Sequence, residues 1–324
     1  MGNNQLLYLS QADVVALGLS MAEIIEAVEK AFHEKGNGRV EMPPKPGVHP
    51  GGDNFIHAMP AYIPGLKSAG VKWVSGFPDN QKRGLPYITG LLIYNDVETG
   101  LPLAVMDCVW ITAMRTGAAS AVAAKYLARP ESSVMGVLGC GVQGRSHVAA
   151  LNELFPLQRI MAYDNHVENA QRFAEEINDQ FSLEVVPVQT PREAVSGCDL
   201  VVTAGPILKQ PHQTITAGWL DEGAFASLVD FDSYWHPDAM MEAAKFCTDD
   251  VPQLRHYQET GYFQQIPAIH ADLGQLVTGQ KPGRETAGER TMTANLGLAM
   301  DDMAVAPLLY RRALEKGTGT WLPL

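Results

Sequence analysis

The chain is short of positive charge. Only 24 Lys and Arg stand against 36 Asp and Glu, a net charge of −12. That balance disfavours non-specific attraction to nucleic acid or to anionic membranes, so neither partner is expected, and an anionic substrate must be held by local cations. Cysteine is scarce as well. Cys108, Cys140, Cys198 and Cys247 are widely spaced, with no C-x-x-C pair. A disulfide framework and a paired-cysteine metal site are therefore excluded; no metal is expected. With no secretory signal ahead of the cysteines, reduced thiols in a cytoplasmic protein are the expectation. Apolar runs such as "AASAVAAKYLA" and "ASLVDF" fall short of the roughly 20 residues that span a membrane. What remains is 324 residues, 46% hydrophobic, enough for two globular domains.

Near the N-terminus "SMAE", Ser20–Glu23, fits a capping box, and Ile24, Ile25, Val28, Ala31 and Phe32 follow helical spacing to about Lys35. From Arg39 to Met106 the pieces "NFIHAMPAYI", "AGVKWVSG", "YITGLLIYND" and "LPLAVMD" alternate with turn residues, which predicts a mostly antiparallel sheet. "TAMRTGAASAVAAKYLA" predicts a small-residue helix over Thr112–Ala128. After Pro130 strands and helices alternate: "SVMGVLG", a helix from about Val142, "RIMAYD", a helix through Phe173 and Ile177, and "LEVVPV". "TPRE" at Thr190–Glu193 reads as a further helix start, and "DLVVTAG", "GAFASLVD" and "KFCTDD" as three buried strands. That order predicts a doubly wound parallel sheet. Past Asp250 the chain reads as polar turns until a helical "TANLGLAMDDMAVAPLLYRRALEKG", which is expected to return to the N-terminal domain.

Within "MGVLGCGVQGRSH", Gly139, Gly141 and Gly144 form G-x-G-x-x-G directly after a strand, and Asp164 closes the next strand 20 residues beyond the last glycine. Gly139 permits the tight turn, Gly141 lets backbone approach a pyrophosphate, and Gly144 lets helix and strand pack closely. The phosphates are then expected at the helix N-terminus and the ribose hydroxyls at Asp164. "DNH" after the strand lacks an arginine for a 2′-phosphate, so NAD is favoured over NADP. "VVTAG" ends the fourth strand, which makes Thr203 and Gly205 candidates for cofactor contact, or simply the close of a strand.

Four ionisable residues outside the fingerprint suit chemistry at a carbon bearing nitrogen. Lys72, amid Ala69, Gly70, Val71, Trp73 and Val74, must either snorkel to an edge or be buried with a partner, and burial would lower its pKa. Lys45 lies in the loop "MPPKPG". Arg115, read at the start of the small-residue helix, opposes the macrodipole and would suit a bound anion or a salt bridge. Asp232 follows the fifth Rossmann strand in "ASLVDFDSYW", with Asp230 beside it.

"MPPKPG", "FIHAMPAYI", "VKWVSGFPDN", "ITAMRTGAASAVAAKYLARP", "GVLGCGVQG" and "TMTANLG" resemble, in order and spacing, the ornithine cyclodeaminase and mu-crystallin family across nearly the whole chain. The resemblance implies a homodimer. It also implies an α+β substrate and dimerisation domain from residues 1–120 and 300–324, with a Rossmann domain from residues 121–299. By the same likeness Lys45 and Arg115 hold a substrate carboxylate, Lys72 contacts the reacting amino acid or imine, and Asp232 donates or accepts a proton at nitrogen. Arg115, Thr116, Val142, Gln143, Asp164, Ser227, Leu228 and Val229 match cofactor-contacting positions. Where ornithine-converting members carry a glutamate ahead of "MP", this chain has His57, a packing residue or a second proton-transfer group. The implied activity is an NAD-dependent oxidoreductase interconverting a small 2-amino acid with its imino or oxo form, or reducing a cyclic imine. The alternatives are ornithine cyclodeaminase and a non-catalytic ligand-binding protein.

Overall fold

In the computed structural model, which describes residues 5–324, the chain divides into two units. One runs up to Arg115 and resumes over Leu298–Leu324, and the other is Thr116–Gly297. Each builds its own sheet from the described residues.

The first unit contains β1 (Gln5–Leu9), α1 (Gln11–Ala16), α2 (Met21–Gly36), β2 (Gly47–Val48), β3 (Phe55–Ile63), β4 (Ser68–Gly76), β5 (Ile88–Asn95), β6 (Pro102–Asp107), the start of α3 (Val109–Leu127), and, from the C-terminal segment, α9 (Ala299–Lys316) and β15 (Thr320–Pro323). The strand order is β15-β1-β6-β5-β4-β3-β2, antiparallel except for the β1–β6 pair. Ser20 and Glu23 close the capping box that starts α2, and an equivalent box of Ser10 and Asp13 starts α1. Pro60 is tolerated inside β3 because the amides of Ala58 and Tyr62 on either side bond to loop carbonyls of Pro46 and Glu41, beyond the two-residue β2.

Side chains alternate across this sheet. Met59, Ala61, Lys72, Val74, Leu92, Tyr94, Ala104 and Met106 are buried, whereas Tyr62, Trp73 and Leu91 are exposed. Helix α9 covers the buried face so closely that a Cβ on Gly70 would lie 3.0 Å from Met303 Sδ, and Ser68 Oγ donates to the Met303 carbonyl at 2.6 Å. Pro307 sits inside α9 without ending it.

The second unit is an α/β doubly wound domain. Its elements are β7 (Val134–Leu138), α4 (Val142–Asn152), β8 (Arg159–Tyr163), α5 (Val167–Phe181), β9 (Glu184–Pro187), β10 (Leu200–Thr203), β11 (Phe225–Leu228), α6 (Pro237–Met240), β12 (Lys245–Thr248), α7 (Val251–Glu259), β13 (Ile269–Asp272), α8 (Leu273–Val277) and β14 (Thr291–Ala294). All eight strands run parallel, in the order β13-β12-β14-β11-β10-β7-β8-β9. The winding direction reverses between β7 and β10, where such sheets bind ligands at the carboxyl ends of their strands.

Three sequence expectations are corrected. The stretch after Asp250 is not merely turns; it supplies α7, β13, α8 and β14, and β14 inserts between β11 and β12 inside the sheet. "TPRE" does form its box, with Thr190 Oγ1 and Glu193 bonded reciprocally, yet only a turn follows, since Gly197 breaks the chain at φ +80°. The small-residue helix begins at Val109, so Arg115 lies in its second turn and the macrodipole expectation for it does not apply.

Candidate active site

The nucleotide turn of the second unit is built as its spacing requires. Gly139, at φ +101°, caps β7 so tightly that a Cβ would stand 2.6 Å from the Ala204 carbonyl oxygen. Gly144 faces that turn from α4, and a Cβ there would meet the Gly139 oxygen at 2.5 Å. Gly141 differs: it is the N-cap of α4, no side chain caps it, and a Cβ would meet nothing within 4 Å. The result is a helix N-terminus with open amides and open space before it, which fits a pyrophosphate. Val142 is 61% exposed beside it, and Gln143 is half-buried.

Asp164, one residue past β8, accepts the Cys140 amide at 3.0 Å on one oxygen and the His166 amide at 2.9 Å on the other. Its carboxylate is thereby tied to the glycine turn. Thr203 and Gly205 are fixed from beneath by the fully buried Asp230, which accepts Thr203 Oγ1 at 2.7 Å and the Gly205 amide at 3.0 Å. Burial pushes the Asp230 carboxyl up to about 7. Ser227 and Leu228 end β11 buried, and the Val229 amide bonds to the Thr203 carbonyl. Glycine turn, acid and loop ends thus gather at the carboxyl ends of β7, β8, β10 and β11, and these residues fit a dinucleotide.

Asp232 follows β11 in an unusual setting. Phe231 before it is left-handed at φ +62°, and Phe263, whose amide donates to Asp232 Oδ2 at 3.0 Å, is left-handed at φ +52°. Packing of Phe231 against Tyr257, Tyr262 and Phe263, at ring separations of 4.8, 5.5 and 5.0 Å, holds that backbone in place. Asp232 Oδ1 is buried with no hydrogen-bond partner among the described residues, and burial raises the carboxyl pKa. A proton acceptor is thus kept available at a strained position.

In the first unit Lys72 is fully buried, not snorkelled. Its Nζ lies 2.9 and 2.7 Å from the two oxygens of Asp302 and 3.2 Å from Thr112 Oγ1. Arg115, also buried, places Nε 3.3 Å from Asp302 Oδ1 and Nη1 3.5 Å from Asp301 Oδ2. Burial and the nearby Arg115 charge push Lys72 down to about 8, with Asp302 opposing them. Asp301 and Asp302, on the first turn of α9, were not legible as site residues; an acidic first turn is ordinary in a helix.

His57 projects from β3 toward the same face as Lys72, its strand position opposite Val74 and two pairs along from Met59–Lys72. It stacks on Phe55 at 4.5 Å. Burial, then the charges of Lys45, His49 and Lys72, push it down to about 3, so it is a neutral ring. Lys45 stands in the loop before β2, close enough for its charge to act on His57. Thr116 follows Arg115 along α3 and is buried.

The chain is similar to known proteins along nearly its whole length. The chain is 38% identical to alanine dehydrogenase of Archaeoglobus fulgidus over 97% of each chain. It resembles the solved Δ1-pyrroline-2-carboxylate reductase of Thermococcus litoralis, in complex with NADH and L-proline, at 35% identity and TM-score 0.88, covering 97% of this chain and 99% of that one. It resembles an archaeal alanine dehydrogenase dimer with bound NAD at 34% identity and TM-score 0.87, covering 98% and 99%. The family model described as "Ornithine cyclodeaminase/mu-crystallin family" matches residues 6–317, a span that takes in the buried lysine, the glycine turn and both aspartates of α9. The chain belongs to the ornithine cyclodeaminase/mu-crystallin family.

Proposed function

We propose that this protein is an NAD-dependent oxidoreductase acting on CH–NH groups, interconverting a small 2-amino acid with its imino or oxo form or reducing a cyclic 2-imino acid. The observation that carries this reading is the buried Lys72 ammonium, held by Asp302 beside Arg115, in a chain that also carries a complete dinucleotide turn. A buried cluster of charged side chains costs more than packing alone requires, which suits a site for a charged substrate. Two relatives, an alanine dehydrogenase and a pyrroline-2-carboxylate reductase, act on substrates of this class.

Bound NAD supplies the hydride acceptor or donor. Lys45 and Arg115 are assigned the substrate carboxylate, Lys72 the reacting carbon's substituents, and Asp232 the amine or iminium proton. Gly139, Gly141, Val142, Gln143 and Gly144 are assigned the phosphates, and Thr116 and Arg115 are assigned to the cofactor as well. Asp164 takes the ribose, and Thr203, Gly205, Ser227, Leu228 and Val229 line the dinucleotide. His57, being neutral, is assigned to shaping the pocket rather than to proton transfer at physiological pH. It lacks the negative charge that would steady the second amine of a diamino acid, which weighs against ornithine cyclisation.

A homodimer is proposed as well, with the exposed sheet face of Tyr62, Trp73 and Leu91 covered by a second copy. A cytoplasmic location suits the four free, buried thiols. The test is NADH oxidation with pyrroline and piperideine carboxylates and with 2-oxo acids plus ammonia, products identified, and the reverse with L-alanine and L-proline. Tight NADH binding without turnover of any of them refutes the reading.

A further inference from the structure

We infer that Asp302 is a positioning residue: its carboxylate holds the Lys72 ammonium and the Arg115 guanidinium side by side, so that Arg115 is placed for the substrate carboxylate and Lys72 for the substituents of the reacting carbon. The inference rests on the proposed activity and extends it to a residue on a distant helix. Both Asp302 oxygens lie within 2.9 Å of Lys72 Nζ, and Oδ1 is also 3.3 Å from Arg115 Nε. One buried anion therefore bridges the two cations. Arg115 is steadied on its other side by Asp301, whose Oδ2 accepts the Leu298 amide at 3.1 Å. Two positive and two negative side chains balance before substrate arrives.

The aspartates can serve this way because they occupy the first turn of α9, where the helix dipole favours anions. Ser68, bonded to the Met303 carbonyl, ties that turn to the strand carrying Lys72. The groups facing Lys72 are Thr112 and Arg115 from α3, Cys108 just before it, Asp302 from α9 and the neutral His57 from β3. Of these Asp302 alone brings a full negative charge within hydrogen-bond distance.

The test is an NMR titration of lysine side chains labelled at Cε, with the Lys72 signal assigned by its loss in Lys72→Met, run beside pH profiles of the purified full-length protein with NADH and a cyclic imine. Asp302→Asn removes the counter-charge and leaves the shape. The Lys72 titration is expected to move down by roughly one to three pH units, and the alkaline limb of kcat/KM to move down with it. A purely structural role would lower thermal stability without moving either curve, and an unmoved Lys72 titration overturns the inference. Should Asp302→Asn fail to fold, Asp302→Glu decides: it keeps the charge but displaces it, so Lys72 should titrate near its wild-type pH while KM rises several-fold, and an unchanged KM overturns the inference. A wild-type protein inactive on every imine and amino acid refutes the proposed activity, while the lysine titration still reports on Asp302.

Discussion

Gly141→Ala separates cofactor binding from folding, because the three fingerprint glycines meet such different surroundings. At Gly141 the backbone is extended, φ −88° and ψ −158°, which alanine adopts freely, and the added methyl meets no protein atom within 4 Å. The stability change should stay within about 0.5 kcal/mol, as for surface substitutions elsewhere. The space the methyl enters is where the backbone must approach the pyrophosphate. Overfilling a fitted contact costs about 1–3 kcal/mol, so NADH should bind roughly 5- to 150-fold more weakly. Gly144→Ala behaves differently, since its methyl collides with the Gly139 carbonyl at 2.5 Å and with Val137 Cγ1 at 3.2 Å. Both affinity and melting temperature should fall there, the latter by roughly 2–10 °C. Fluorescence titration with NADH and thermal melts of the two variants give the comparison. A folded Gly141→Ala protein that binds NADH as tightly as wild type refutes the assignment of this turn to the pyrophosphate.

Lys72→Ala should abolish turnover while leaving NADH affinity largely intact; loss of both would make Lys72 structural. Because burial lowers the Lys72 pKa to about 8, the ammonium is present below that pH and lost above it. In steady-state profiles kcat/KM should therefore decline on the alkaline side near 8, not near 10. The unfolded chain holds the same proton more tightly, so wild-type stability should rise between about pH 8 and 10.5, and chemical denaturation of Lys72→Met should lack that rise. Asp232→Asn should cut kcat by roughly 100-fold or more at unchanged NADH affinity, the usual range for losing a general acid or base; near wild-type kcat would remove Asp232 from the chemistry. Trp73→Asp should convert a dimer to monomer in sedimentation, and an unchanged species would place the interface elsewhere.

What was legible in the sequence is what one short segment decides. The glycine turn, the strand before it and Asp164 lie within 31 residues; Gly139 and Gly144 answer to neighbours close along the chain or at the end of the adjoining strand, and Gly141 faces open space. The capping box at Ser20 is equally local. Strand β14 escaped because "TMTA" is four residues long and half threonine, so that it divides between the polar turns before it and the helical stretch expected from Thr293. Its hydroxyls are satisfied by buried groups beside the sheet, Thr291 on the Leu127 carbonyl at the end of α3 at 2.7 Å and Thr293 on Asn295 Oδ1 at 2.8 Å, so a strand buried at every position could still look hydrophilic. "TPRE" failed in the opposite sense. Its capping chemistry is real, but one turn of helix cannot persist when Gly197 follows and no amphipathic run extends it.

Lys72 shows why the candidate site was only half legible. Period-two alternation places Lys72 and Trp73 on opposite faces of β4 without saying which face is core, and hydrophobicity would bury the tryptophan. The fold does the reverse: Lys72 is fully buried and Trp73 is 52% exposed. The inversion is set by groups that local pattern cannot see, since Asp302 lies 230 residues along the chain and Arg115 on another helix. Without Asp302 the ammonium inside would be prohibitive, and with it the cation is retained at a cost that packing does not require. The same alternation turns Trp73 and its cross-strand neighbour Leu91 outward together. A lysine inside and a tryptophan outside are therefore one fact about β4: its register turns Lys72 toward Asp302 and Trp73 away from it, and slipping the strand by one residue would forfeit both.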